Sequence, residues 1–76
     1  MFIIRKKFEI SNHEMMDFVR LLGRFGMKFK VSEEQEIPNQ DGKTKDRYRV
    51  FTVFGTRRQI SEFMEARDII YEYHLH

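Results

Sequence analysis

Cations alternate with large apolar residues in three stretches of this chain: Phe2-Ile3-Ile4-Arg5-Lys6-Lys7-Phe8, Met27-Lys28-Phe29-Lys30-Val31 and Arg47-Tyr48-Arg49-Val50-Phe51-Thr52-Val53-Phe54. In a strand, successive side chains point to opposite faces. Such a pattern buries one face and turns the other, basic, toward an anionic partner. Arg5, Lys7, Lys28, Lys30, Arg47 and Arg49 are the cations of that second face, and Phe51 shares their parity in the last stretch. Cations that meet phosphates beside a ring that stacks on a base are a common means of holding single-stranded RNA. Arg57 and Arg58 form a second phosphate-contact candidate. They stand in the first turn of a predicted helix, where the positive helix end disfavours cations and welcomes an anion.

Ordinary ion pairing competes with this reading. If Asp41 and Gly42 are the two central residues of a tight type I′ hairpin, Phe29 faces Phe54 on the inner side. Glu34 then faces Arg49 and Glu36 faces Arg47 on the outer side. Cross-strand partners would partly neutralise the two arginines. Arg5, Lys7, Lys28, Lys30, Lys43 and Lys45 keep no evident partner. The acidic residues Glu62, Glu65, Asp68 and Glu72 gather on the last helix, which makes the molecule bipolar and also suits docking on another protein.

No catalytic pattern is present. Ser11 reads as a helix cap, Ser32 lies on a strand and Ser61 on a helix, and none sits in a nucleophile elbow. There is no phosphate-binding glycine loop and no His-Glu-x-x-His. His13 lies in a first helical turn away from any evident base. His74 and His76 are two imidazoles at the C-terminal end, too few for a metal site. No enzyme activity, metal or cofactor is expected.

Composition sets the frame for these residues. Seventy-six residues make one domain, which buries roughly 60–65% of its unfolded surface. With no Cys there is no disulfide and no cysteine-bound zinc, so eight Phe, three Tyr and the aliphatic residues must supply the core. Net charge is +2, from 14 basic and 12 acidic residues, so any nucleic-acid function rests on where the cations lie rather than on their sum. No apolar run is long enough to span a membrane, and no apolar segment follows Arg5-Lys6-Lys7 as a secretory signal would require. A cytoplasmic protein is expected.

Few elements are needed to position the cations. Residues 1–10 read as a strand with Phe2, Ile4, Phe8 and Ile10 on one face and Lys6 interrupting them. Ser11-Asn12-His13-Glu14 is a capping box, with Ile10 and Met15 placed as its hydrophobic staple. It predicts a helix over 12–25 with Met15, Phe18, Val19, Leu22 and Phe25 inward. Gly26 suits the left-handed position that ends it. Residues 27–37 and 44–54 read as two strands of a hairpin. A second box, Thr56 with Gln59, opens a helix over 57–73. Its stripe is Ile60, Phe63, Met64, Ile70 and Tyr71, widened by Ala66 and Ile69, with Arg67 where a long stem is needed.

The order β-α-β-β-α predicts an α+β fold: a three-stranded antiparallel or mixed sheet in the order 1-3-2 with two helices on one face. This is a ferredoxin-like sandwich lacking its last strand. The outline resembles ferredoxin-like RNA-binding domains in topology and in its basic, aromatic-bearing face. Their glycine-aromatic RNA motif is absent. The basic face with its ring leads to the expectation of a small, non-enzymatic regulator that binds RNA or another single strand. The alternative is a protein-binding inhibitor, such as a phage-encoded antagonist of a host nuclease or toxin, acting through the open edge of the first strand or the acidic helix. That edge also predicts a homodimer.

Overall fold

A computed structural model describes residues 2–74, with the side chains of 2–69. Six elements follow one another: β1 (Ile4–Ser11), α1 (Met15–Phe25), β2 (Lys28–Val31), β3 (Gln35–Pro38), β4 (Lys45–Gly55) and α2 (Arg57–His74). The fold is α+β. β4 runs through the centre of a four-stranded sheet, with β1 along one side and β2 and β3 end to end along the other. Every pairing is antiparallel. The expected three-strand, ferredoxin-like sheet does not describe it, because the single strand expected over 27–37 is two.

The break has a local cause. Paired residue numbers add to 83 between β3 and β4, as in Glu36 opposite Arg47. They add to 82 between β2 and β4, as in Phe29 opposite Val53. One extra residue is therefore inserted between the two short strands, as in a bulge. Ser32 fills the gap. Its N–H donates to the Val50 carbonyl at 2.9 Å, and its hydroxyl accepts the Val50 N–H at 2.9 Å. The Arg49 guanidinium donates to the Ser32 carbonyl at 3.1 Å. A one-residue slip moves side chains to the opposite face, so Phe29 meets Val53 rather than Phe54.

The core lies between the sheet and both helices. Phe8 and Ile10 of β1, Phe51 and Val53 of β4, Phe18, Leu21 and Leu22 of α1, and Ile60 and Phe63 of α2 are buried, with Met27. Phe18 is its hub. Its ring lies 5.4 Å from Phe8, 5.0 Å from Phe51 and 5.3 Å from Phe63, tilted or edge-on. Leu21 is buried where the sequence pointed to Val19, which is half-open at the flank. Arg67 takes the long-stem role. Its guanidinium lies 5.6 Å from the Phe8 ring centre and 5.5 Å from that of Phe18, and reaches the Glu14 carboxylate at 3.3 Å. Of the predicted α2 stripe, Ile69 is exposed, and the side chains of Ile70 and Tyr71 lie outside the described residues.

The two capping boxes exchange importance. β1 runs through Ser11, which pairs with Tyr48, and Asn12 continues the ladder to the Arg47 carbonyl. Residues 12–14 form a turn, so α1 begins at Met15 instead of residue 12, with no side-chain cap. Glu14 is drawn to Arg67 and not back to its own helix end. At α2 the reciprocal pair does form. The Thr56 hydroxyl accepts the Gln59 N–H at 3.1 Å, and the Gln59 side chain accepts the Thr56 N–H at 2.8 Å. Thr56→Ala is therefore expected to lower stability by about 0.5–2 kcal/mol, while Ser11→Ala changes it little; chemical denaturation of the two variants checks this. Gly26 ends α1 at φ 63°, as expected.

The hairpin turn is wider than a type I′ pair. Asn39 pairs with Thr44, leaving residues 40–43 as the loop. Among described residues only glycines have positive φ, Gly42 at 69° included, which excludes type I′ at Asp41. The loop is still centred between Asp41 and Gly42, so the register near it is kept. The Asp41 carboxylate accepts the N–H groups of Lys43 and Thr44 at 2.9 and 3.0 Å and the Thr44 hydroxyl at 2.9 Å. The backbone bond from Thr44, then that from Lys43, then the bond from the Thr44 hydroxyl hold the Asp41 pKa below its ordinary value of 3.8. A depressed carboxylate stabilises the folded state above the unfolded pKa, and that contribution disappears as pH falls through the folded value. Amide protection at Thr44 should thus fall as the solution is acidified below pH 3.8, and Asp41→Ala should remove this dependence.

Candidate nucleic-acid interface

Directly paired residues of antiparallel strands share a face. Phe8 opposite Phe51 fixes which face is covered by the helices, and the neighbouring rungs define the open one. Across β1, β4 and β2 the open face carries two rungs: Arg5–Phe54–Lys28 and Lys7–Thr52–Lys30. Four cations thus flank a central column holding a phenyl ring and a hydroxyl. Strands lie about 4.8 Å apart, so the two cations of a rung stand on backbones roughly 10 Å apart. All four are exposed, and Phe54 and Thr52 are half-buried between them. Among the described residues, none of the four makes an ion pair within 4.0 Å. An open depression of about 360 Å³ lies between Lys7 and Lys30, floored by Val50 and Thr52 and ending at Ser32 and Gln35. Glu9, opposite Val50, is the acidic residue on the next rung.

Three residues expected on this face are elsewhere. Phe51 is 1% exposed and lies edge-on to Phe18, so no base can stack on it. Arg47 and Arg49 share its parity in β4 and belong to the helix side. The reason is the pairing of β1 with β4, which sets Ile10 opposite Arg49 and leaves the even-numbered residues of β4 outward. Arg47 lies 3.6 Å from Glu36 and 4.0 Å from Glu34. Its pairing with Glu36 is as expected. Glu34 does not face Arg49; its carboxylate accepts the Asn12 amide at 3.0 Å instead. Lys45 pairs with Glu36 at 3.5 Å.

Two rings of β4 share the open face: Tyr48, whose hydroxyl donates to the Gln35 side chain at 2.9 Å, and Phe54, the one set between the cations. Hairpin register alone could not find it, because the slip at Ser32 inverts the assignment. The parity is set by the β1–β4 register, in which Phe8 lies opposite Phe51, and no local pattern in the chain fixes that register.

Arg57 follows Phe54 by three residues, at the end of β4 that carries the Arg5–Phe54–Lys28 rung. It is exposed, opens α2, and finds no acidic residue in that first turn. Arg58 is held by Glu62 one turn on at 3.2 Å. It is mostly exposed, so the pair contributes little. Glu65 and Asp68 are exposed on α2. His13 is exposed in the turn before α1, and the side chains of Glu72, His74 and His76 lie outside the described residues. No helix of the described residues is long and apolar enough to cross a membrane.

No protein-family model matches this chain, no curated protein matches its sequence, and no solved structure matches its fold.

Proposed function

We propose that this protein is a small, non-enzymatic binder of RNA or another single-stranded nucleic acid, with a regulatory role, that acts through the open face of its sheet. The observation that carries this reading is the pair of rungs in which Arg5, Lys7, Lys28 and Lys30, all without ion-pair partners among the described residues, surround Phe54 and Thr52. Unpaired cations on a solvated face lose little by meeting phosphates, and each contact releases condensed counterions. A half-exposed ring between them offers a base a surface to stack on. Arg57 extends the basic track past the end of β4, and Arg58 joins it when it leaves Glu62.

Phosphate contacts on this face position a strand without reading its sequence. Stacking on one phenyl ring is likewise tolerant of base identity. Broad preference for single strands over duplex follows, since the face is shallow and presents no element shaped for a groove. The acidic face of α2 would turn away from the strand.

Titration of labelled single-stranded RNA at low salt tests this. Phe54→Ala is expected to weaken binding by about 1–3 kcal/mol while the protein stays folded. If no single-stranded RNA or DNA binds, the reading fails. The protein-inhibitor alternative, through exposed Glu65 and Asp68 or the edge of β1, then takes precedence.

A further inference from the structure

We propose that β1 pairs antiparallel with β1 of a second copy, in the register that sets Phe8 opposite itself, so that two open faces join into one basic surface. The continuity of that surface as a nucleic-acid site rests on the function proposed above; the pairing itself does not. β1 ends the sheet, with β4 on one side only. It is a regular strand of eight residues with no bulge in its ladder to β4. Such an edge is a template for another strand.

Symmetry and charge select the register. A two-fold axis between antiparallel strands stands normal to the sheet, so both helix layers fall on one side and both open faces on the other. One residue must then lie opposite itself, and the contacts repeat twice. With Lys6 on the axis, Lys6 meets Lys6 and Arg5 meets Lys7 twice. With Lys7 on the axis, Lys7 meets Lys7, which opposes the two Arg5–Glu9 pairs of that register. With Glu9 there, Glu9 meets Glu9. Like charges directly opposite are destabilising. With Phe8 on the axis no like charges oppose one another. Lys7 then faces Glu9 of the second copy on the open side, twice, and Arg5 faces Ser11. Lys6, whose parity is that of the core, lies opposite Ile10 and can lay its stem along the apolar strand. Registers centred nearer either end pair less of the strand. The register also accounts for Glu9, the acidic residue on the rung next to Lys7: it balances Lys7 of the other copy in the free dimer.

Sedimentation equilibrium on the full chain without nucleic acid tests the pairing, so its failure is read separately from failure of RNA binding. The wild type is expected to be a dimer. Lys7→Glu and Glu9→Lys should each convert two attractive pairs to repulsive ones and weaken dimerisation about tenfold or more. Combining them exchanges the charges and should restore it to within about threefold of the wild type. Circular dichroism on the single variants checks that these exposed sites leave the fold intact. A wild type that stays monomeric at high concentration overturns the proposal. So does a double variant no better than the singles, because a register centred on Lys7 would keep Glu opposite Glu at the axis and set Arg5 against the new lysine.

Discussion

Replacing Phe51 by alanine is expected to lower stability by about 3–5 kcal/mol. The ring is 1% exposed, lies 5.0 Å from Phe18 of α1 and 5.9 Å from Phe29, and sits on the central strand. A chain of 76 residues has a total stability on the order of 4–11 kcal/mol. The cavity therefore removes a large fraction of it, and the protein should be partly unfolded at 37 °C. Phe51→Leu refills much of the space and should keep both the fold and nucleic-acid affinity. Thermal melts and strand titrations of these two variants, beside Phe54→Ala, separate the core ring from the proposed stacking ring. Affinity lost in folded Phe51→Leu, with Phe54→Ala unaffected, would reverse the assignment of the two faces.

The second large effect is electrostatic. Lys28→Glu combined with Lys30→Glu places two negative charges on one side of the open face, next to Phe54 and Thr52. Two of four phosphate contacts are lost and two repulsions appear, so affinity at low salt should fall by at least about a hundredfold. The loss should be similar for unrelated sequences, because phosphates carry no base identity. Stability should change little, since both side chains are exposed and neither forms an ion pair among the described residues. A filter-binding series at fixed salt, with a melting control, reads both quantities. A variant that binds as well as the wild type would place the ligand elsewhere on the protein.

Much of this architecture was legible in the residues. Alternation in residues 4–10 gave the correct faces of β1, whereas Phe2, expected on the inner face, lies before the strand and is exposed; Gly26 marked the end of α1 at its left-handed φ. Arg67 was placed inward by its position in the stripe, and the two aromatic rings beside it explain why an arginine is tolerated there. The failures share one origin: local signals were overruled by tertiary pairing. The Ser11 box is well formed in sequence, yet Ser11 is held in the sheet by Tyr48 and Glu14 by Arg67. The hairpin register was right from the turn to Gln35 and wrong past it, because a side-chain hydroxyl that takes the place of a ladder partner leaves no periodic trace. From that slip came the misplacement of Arg47, Arg49 and Phe51. Lys28 and Lys30 kept their face because the slip and the inverted β4 offset one another. Arg5 and Lys7 kept theirs because β1 has no such interruption.

The most direct test of the basic open face as a single-strand surface is the salt dependence of wild-type binding. Four neutralised phosphates predict a slope of about −2.8 for log affinity against log salt on a single strand, falling to about −1.4 when Lys28 and Lys30 are reversed. A slope near zero, or one that the double reversal leaves unchanged, would contradict it.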